Sequence, residues 1–311
     1  MRSVLCIALA ALAPAVATAA ATSAVLPAWA FTHADAVYAD AFDASQPIVP
    51  HDPSGGAGGA YPGKLTRTLH IAGLGSGMQD YYVYIPTSYT PGRPTPLMLA
   101  LHGAAPYGSA GSYAATIRDN WSGVAEAGEF IVAAPVADAV YYQNGGPYAV
   151  SWLIPPTNGP SDYDLFDAVR ADLESAYNIE RSRIYGWGFS SGGHVMHDLV
   201  INHYSEAFNV DTMAGYAVGG ADLAALACAG DSSAACGARL AALPRKIPVD
   251  IHIGTSDPNF SYAQEDHTLF LAEGWVNRVT IDYNKFVGGH QYTVDQLGDV
   301  WDTLCPAALV H

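Results

Sequence analysis

The feature that most constrains the fold is Gly188-Phe189-Ser190-Ser191-Gly192, which follows an apolar run and precedes a segment with helical character. The spacing matches the G-x-S-x-G pattern, in which a serine occupies a sharp turn from a strand into a helix. Such a turn strains the serine backbone, exposes its hydroxyl and directs the first N–H groups of the helix toward it. We therefore predict a strand, a turn at Ser190 and a helix from His194 to about Tyr204. The alternative is a Gly/Ser-rich turn beside a helix cap.

Apolar runs alternate with amphipathic segments along the rest of the chain. The nearly continuous apolar run at 94–101 is typical of a parallel strand covered on both faces, and 130–135 is predicted to be the next buried strand. Further strands are predicted over 213–218 and 247–253. Helices are predicted over 112–127, 161–178, 263–275 and 293–304, and a last strand over 279–283. The first two strands, 65–71 and 80–86, are joined by a short turn. The pattern predicts an α/β fold with a mostly parallel central sheet, helices on both faces and an antiparallel N-terminal edge.

Two segments lack clear periodicity. Residues 139–161 are interpreted as a loop rich in aromatic and turn residues, and residues 221–245 as an irregular insertion.

Two side chains far from Ser190 along the chain can assist it as a nucleophile. A serine hydroxyl needs a base within hydrogen-bonding distance, and the base needs a carboxylate that orients it. Asp257 and His290 both follow predicted strands, as Ser190 does, and the carboxyl ends of parallel strands meet at one edge of a sheet. We predict that His290 is the general base and that Asp257 orients it. An aspartate before a proline also suits an Asx turn, which is the alternative for Asp257.

Backbone N–H groups beside the serine are expected to stabilise a developing oxyanion. One donor is predicted to be Ser191, directly after the nucleophile, and the other Ala104, in the loop after the strand at 94–101. His102 is expected to brace that loop by hydrogen bonds.

The N-terminal region has the composition of an export signal. Arg2 precedes an apolar run over 4–16 and small residues, so residues 1–24 are predicted to be a secretory signal peptide. The run is too short for a membrane span. Residues 25–63, rich in Ala, Pro, Asp and Gly, are predicted to be a flexible segment, and residues 64–311 the catalytic domain.

The charge balance and the cysteines limit which partners, compartments and cofactors suit this chain. The chain has 29 Asp and Glu against 13 Lys and Arg, which argues against nucleic acid or an anionic membrane as a partner. Secretion, to the cell exterior or a periplasm, permits disulfides, and we predict that Cys228 pairs with Cys236, while the pairing of Cys305 stays open. His194 and His197 share a helix face without a third ligand, so we expect no metal and no other cofactor.

Five segments together resemble the α/β-hydrolase superfamily: 101–103, 161–178, 188–193, 254–257 and 288–290. Within it, roughly residues 65–305 are most similar to the secreted poly(3-hydroxybutyrate)-depolymerase-like and feruloyl and acetyl-xylan esterases, and Trp152 resembles a tryptophan of those enzymes. Many relatives have Cys or Gly after the His-Gly pair, where this chain has Ala104.

The resemblance implies hydrolysis of a carboxylic ester through an acyl-serine. The substrate class that it implies is a polyhydroxyalkanoate-type polyester or the feruloyl or acetyl esters of a polysaccharide. Trp187, before the serine pattern, is also similar to prolyl-oligopeptidase-type peptidases, so a secreted serine peptidase is one alternative. A catalytically inactive hydrolase fold used for binding is the other.

Aromatic residues in the loops around the predicted site are candidates for a substrate pocket, although core packing would suit each of them equally. They are Tyr107, Tyr142, Trp152, Trp187 and Phe260.

Overall fold

The computed structural model describes residues 52–57 and 62–309. The predicted signal peptide and most of the predicted flexible segment lie outside the described residues. No helix within the described ranges is long and apolar enough to cross a membrane.

Strands and helices follow one another along the chain. The strands are β1 (Gly63–His70), β2 (Met78–Ile85), β3 (Thr95–Leu101), β4 (Ala105–Pro106), β5 (Ile131–Pro135), β6 (Ala139–Gln143), β7 (Gly146–Ser151), β8 (Ile179–Phe189), β9 (Gly215–Gly219), β10 (Val249–Gly254) and β11 (Ile281–Phe286). The helices are α1 (Ala110–Gly128), α2 (Asp162–Ala176), α3 (Ser191–Asn202), α4 (Ser233–Ala241), α5 (Phe260–Ala272) and α6 (Val294–Leu304).

A sheet of eight strands forms the centre of the molecule, in the order β1-β2-β5-β3-β8-β9-β10-β11. β1 and β2 pair antiparallel, as do β2 and β5, and the pairs from β5 to β11 are parallel. β3, β5, β9 and β10 are buried along their whole length because helices cover both faces. α1 and α6 pack on one face, and α2, α3 and α5 on the other. This architecture confirms the predicted α/β fold and its antiparallel edge.

The segment 139–161, predicted to be a loop, instead contains most of a second sheet. This sheet has three antiparallel strands in the order β4-β7-β6. β6 and β7 are joined by Asn144 and Gly145, which have φ values of 52° and 80°. An Asn-Gly pair with both φ values positive is the preferred two-residue hairpin turn, because its twist matches that of the strands. The small sheet continues directly from the loop that follows β3.

The insertion at 221–245, predicted to be irregular, contains α4. Ser232 caps this helix by accepting a hydrogen bond from the Ala235 N–H. A disulfide joins Cys228 to Cys236 within α4, as predicted.

Residues 52–57 were assigned by composition to the flexible segment, but they are hydrogen-bonded to the main body. The Ser54 N–H donates to the Ile179 carbonyl (2.8 Å), and the Ser54 hydroxyl donates to the Tyr177 carbonyl (2.8 Å). Pro53 forms a β-bridge with Glu180 at the start of β8. A Gly-rich composition predicts a flexible segment, but it does not reveal the hydrogen bonds that residues 52–57 form with the rest of the fold.

Candidate active site

Ser190 lies at a sharp turn between β8 and α3. Its φ and ψ are 54° and −122°, a strained backbone region for a residue with a side chain. The Ser190 N–H donates to the Gly219 carbonyl (2.8 Å), and the His194 N–H donates to the Ser190 carbonyl (3.0 Å). A Cβ atom on Gly188 would collide with the Gly192 carbonyl oxygen, which is why the turn requires glycine on both sides. The local fold is therefore the one that the G-x-S-x-G spacing predicts.

The structure brings Ser190, His290 and Asp257 together in a hydrogen-bonded chain. His290 Nε2 lies 2.8 Å from Ser190 Oγ, and His290 Nδ1 lies 2.8 Å from Asp257 Oδ2. Because a carboxylate only accepts hydrogen bonds, Nδ1 carries a proton and Nε2 is the acceptor for the serine hydroxyl. Asp257 is buried, whereas the imidazole is about one-third exposed. A buried carboxylate next to a partly exposed imidazole can orient the ring and stabilise its protonated form.

The two loops that carry Asp257 and His290 hold each other in place. The Ser256 N–H donates to the Gly288 carbonyl (2.8 Å), and a Cβ on Gly254 would collide with the Gly289 carbonyl. Gly220, at φ +61°, lies beneath both side chains, and a Cβ there would come within 3.0 Å of the imidazole. The loops approach more closely than any residue with a side chain would allow.

The loop after β3 lies against the serine turn. A Cβ on Gly103 would lie 3.1 Å from the Ser190 Cβ, and a Cβ on Gly192 would lie 2.7 Å from the His102 carbonyl oxygen. Ala104 is exposed directly after this contact, and Ser191 begins α3. Of the two predicted oxyanion donors, Ser191 directly follows Ser190, and Ala104 directly follows Gly103, which lies against it.

Solved structures share this architecture at low sequence identity. A ferulic acid esterase superposes with a TM-score of 0.57 at 16% identity, covering 78% of this chain and 95% of that one. A fluorophosphonate-binding serine hydrolase of Staphylococcus aureus matches with a TM-score of 0.56 at 16% identity, over 78% of this chain and 99% of its own. The feruloyl esterase module from Clostridium thermocellum, a mutant complexed with sinapinate, has the same TM-score and identity, over 78% and 87%. The chain has the α/β-hydrolase fold. No protein-family model matches the sequence, and no curated protein matches it.

In this α/β-hydrolase fold, His102 braces the loop that carries Ala104. Its Nδ1–H donates to the Gly103 carbonyl (2.6 Å), and its Nε2 accepts from the Ala137 N–H (3.2 Å). Trp152 Nε1–H donates to the His102 carbonyl (3.0 Å). Burial lowers the pKa of His102 to about 4, so the ring is neutral near pH 7 and keeps this arrangement.

The two tryptophans predicted to line a substrate pocket are in the core, which contradicts that prediction. Trp187 is 1% exposed and its ring contacts the Trp121 and Tyr292 rings, on the face of the sheet covered by α1 and α6. Trp152 is 2% exposed and contacts the His102 and Phe166 rings. Side chains on β8 are covered on both faces of the sheet, so closeness in sequence to Ser190 does not give access to it.

The other three predicted pocket residues are accessible to different extents. Tyr107 and Tyr142 are mostly exposed, at 56% and 72%. Phe260 is half-buried at the start of α5, and its N–H donates to the Asp257 carbonyl (3.0 Å). Phe260 is therefore connected to the hydrogen-bonded chain, whereas the tyrosines belong to the small sheet.

Two positioning residues escape the sequence reasoning. The Phe189 ring lies 4.9 Å from the His290 ring and 5.0 Å from the Tyr292 ring, measured between centroids. Asn259 donates its N–H to Asp257 Oδ1 (2.8 Å) and its side-chain amide to the Gly220 carbonyl (3.0 Å). Phe189 occupies the variable position directly before the serine in the G-x-S-x-G pattern, and Asn259 is the residue whose N–H closes an Asx turn at Asp257. These two patterns are the sequence signals that could identify them. Both interpretations of Asp257 hold at once, because one oxygen forms the turn and the other accepts from the histidine.

Proposed function

We propose that the protein hydrolyses carboxylic esters with Ser190 as the nucleophile, His290 as the general base and Asp257 as its orienting carboxylate. The observation that carries the proposal is the pair of 2.8 Å contacts that join the two imidazole nitrogens to Ser190 Oγ and Asp257 Oδ2. Nucleophile, base and orienting group at these distances are what acyl transfer requires.

The reaction proceeds in two halves. Ser190 Oγ attacks the ester carbonyl carbon while His290 Nε2 accepts the hydroxyl proton, and the N–H groups of Ala104 and Ser191 stabilise the oxyanion. His290 then donates that proton to the departing alkoxide, which leaves as the alcohol and gives an acyl-serine. A water molecule, deprotonated by His290, attacks the acyl carbon, and proton return to Ser190 releases the carboxylic acid.

The substrate class that we propose is a feruloyl or acetyl ester of a polysaccharide, or a polyhydroxyalkanoate-type polyester. Two of the similar folds are named as ferulic acid or feruloyl esterases, and one of these is complexed with sinapinate. Exposed Tyr107, which follows β4 in the loop after β3, suits an aromatic or polymeric ester better than a small charged one.

We also propose that the protein is secreted. The predicted signal peptide at 1–24 supports export, and the disulfide between Cys228 and Cys236 is a bond that persists in oxidising compartments.

We favour the esterase over the peptidase alternative, which rests on the sequence resemblance at Trp187, because this side chain is buried and offers no contact to a substrate. The alternative of an inactive binding protein has no support from the geometry of Ser190 and His290.

Turnover by the mature chain and its Ser190→Ala variant tests the proposal. We expect the wild type to hydrolyse p-nitrophenyl acetate and methyl ferulate, and the variant to lose at least about 10⁴-fold in kcat. A peptide p-nitroanilide is the control substrate, and we expect little turnover of it. Ester hydrolysis that survives in Ser190→Ala, or amide hydrolysis faster than ester hydrolysis, would contradict the proposed function.

A further inference from the structure

A second histidine–aspartate pair is buried in the central sheet, below the candidate active site. Asp250 and His252 both lie on β10, and their side chains are 0% and 4% exposed. His252 Nε2 lies 2.9 Å from Asp250 Oδ2, and the side-chain amide of Asn284 donates to Asp250 Oδ1 (2.9 Å). Burying charged groups costs free energy even when they are paired, and apolar side chains in their place are often as stable. Packing alone therefore does not account for this pair.

The pair joins the two strands that lead to the candidate base and its carboxylate. β10 continues into the loop of Asp257, and β11 continues into the loop of His290. His252 on β10 is in register with Asn284 on β11, and the Asn284 amide binds the carboxylate of Asp250. These side chains therefore tie β10 to β11 directly below the loops that carry the hydrogen-bonded chain.

The backbone of His252 supports a peptide that contacts all parts of the site. The His252 carbonyl accepts from the Gly220 N–H (2.9 Å), and the Gly219 carbonyl accepts from the Ser190 N–H (2.8 Å). A Cβ on Gly220 would come within 3.0 Å of the imidazole of the hydrogen-bonded chain and 3.2 Å of its carboxylate. A displacement of His252 would therefore move the peptide on which the serine, the imidazole and the carboxylate all lie.

The charges that face His252 favour its protonated form. Burial alone would lower the pKa of this imidazole, but the charge and the hydrogen bond of Asp250 raise it above its ordinary value. Asp299 on α6 and Asp282 on β11 act in the same direction, and the β9 residues in register with the pair are an alanine and a glycine. When pH rises through this pKa, the imidazolium loses its proton and the buried Asp250 carboxylate is left without a compensating charge.

We propose that His252 is a positioning residue for ester hydrolysis, because its imidazolium, paired with Asp250, keeps the Gly220 peptide in place. This inference rests on the proposed function and adds a second titrating histidine to it. His290 must be neutral to accept the serine proton, whereas His252 must be charged, so turnover requires a pH between the two transitions. A base alone would give a plateau of kcat at alkaline pH, and the buried pair turns this plateau into a decline.

The pH profile of kcat for methyl ferulate, from pH 6 to pH 10, tests this role. We expect the wild type to lose about tenfold in kcat through an alkaline transition, because small displacements of a base are costly. His252→Gln keeps an N–H for Asp250 but carries no charge, so we expect about tenfold lower kcat at pH 7 and no alkaline transition. Asp250→Asn/His252→Gln removes both charges, and we expect kcat at pH 7 within about threefold of the wild type, again without the transition.

His203→Gln is the matched control for the loss of a histidine beside a carboxylate. His203 Nδ1 lies 3.9 Å from Asp211 Oδ2, but both side chains are exposed, so we expect the wild-type profile. A purely structural role of His252 would lower stability without moving the alkaline transition. A wild type without the transition, a transition that persists in His252→Gln, or a double variant no more active than His252→Gln would each overturn the proposal.

A spectroscopic measurement separates this proposal from the proposed function. In isotope-labelled protein, the NMR signal of the His290 Cε1–H should show its own titration and a second inflection at alkaline pH. We expect the second inflection to disappear in Asp250→Asn/His252→Gln. The inflection in a wild type that is inert toward methyl ferulate would contradict the proposed function, whereas hydrolysis of methyl ferulate without the inflection would overturn the role of His252.

Discussion

The two regions that flank Ser190 are built in opposite ways. On one side, Asp257 is buried with both carboxylate oxygens hydrogen-bonded, and the His290 loop is packed against β10 so closely that Gly254 admits no side chain. On the other side, the β4-β7-β6 sheet exposes its largest side chains. Hydrogen bonds hold the two ends of its β6–β7 hairpin: Asp162 Oδ2 accepts from the N–H groups of Leu153 (2.6 Å) and Asp138 (3.3 Å).

This contrast distinguishes two kinds of structural support in the molecule. The positions of Ser190, Asp257 and His290 depend on backbone contacts that tolerate no added atoms. The β4-β7-β6 sheet depends on the hydrogen bonds to Asp162, and its exposed side chains contribute little to packing. Substitutions on the first side should affect the chemical step, and those on the second side should affect which ester is used or how the fold responds to pH.

Among substitutions that leave Ser190 in place, Asp257→Asn should produce the largest effect. The neutral amide can no longer stabilise the imidazolium or fix the Nδ1–H tautomer of His290, so we expect kcat for p-nitrophenyl acetate to fall about 10³–10⁴-fold. Asp295→Asn, on the exposed first turn of α6, is the matched control and should stay within about twofold. A loss of less than about tenfold in Asp257→Asn would indicate that another group orients His290.

Gly220→Ala should have an intermediate effect that tests the close packing. A Cβ at Gly220 would come within 3.0 Å of the His290 ring and 3.2 Å of Asp257 Oδ2. We expect kcat to fall on the order of 10–100-fold, because about 1 Å of displacement of the base is costly. Gly230→Ala is the control: Gly230 also has a positive φ, +82°, but no atom within 4 Å of the added Cβ. It should share the backbone strain and retain activity; equal losses in the two variants would attribute the effect to strain alone.

The smallest predicted effect concerns stability rather than turnover. We expect Asp162 to make the free energy of unfolding depend on pH. Burial raises its pKa to about 7 from an ordinary value near 4, so the folded protein holds a proton that the unfolded chain has lost. The stabilisation is complete below the unfolded pKa and is lost as pH rises through the folded pKa. We expect the free energy of unfolding to fall between pH 5 and pH 8, and Asp162→Asn to reduce that fall by on the order of 2 kcal/mol.

Denaturant unfolding of the wild type and Asp162→Asn at both pH values measures this effect. Asp266, whose pKa burial raises to about 8, contributes in the same direction in both proteins and cancels in the comparison. An identical pH dependence in the two proteins would contradict the assignment to Asp162.

Much of the fold and the grouping of Ser190, Asp257 and His290 are predictable from the sequence. Each of the three follows a strand, and in a parallel sheet this alone places them at one edge. The approach of Gly220 to His290 is not predictable, because it depends on the relative positions of loops that are distant in sequence.

Each error has its own physical cause. Trp187 cannot be assigned to a pocket or to the core from sequence, since a strand covered on both faces gives no period that identifies an exposed side. Trp152 follows the end of β7 at Ser151, where no periodicity exists to assign it. The hairpin of β6 and β7 carries a usable signal at Asn144 and Gly145, but the flanking Pro, Gly and tyrosines resemble a loop. In the part of the N-terminal segment that the structure describes, the backbone bonds of Ser54 override a composition typical of a linker.

Those bonds also determine how the protein can be attached to a support. Residues 52–57 leave the body at the amino end of β8, whereas Ser190 follows its carboxyl end, roughly 30 Å away for a strand of 11 residues. An anchoring group fused ahead of Asp52 would therefore orient the edge of the sheet that carries Ser190 away from a solid surface. Immobilised in this way, the protein would present Ser190 to the surrounding solution.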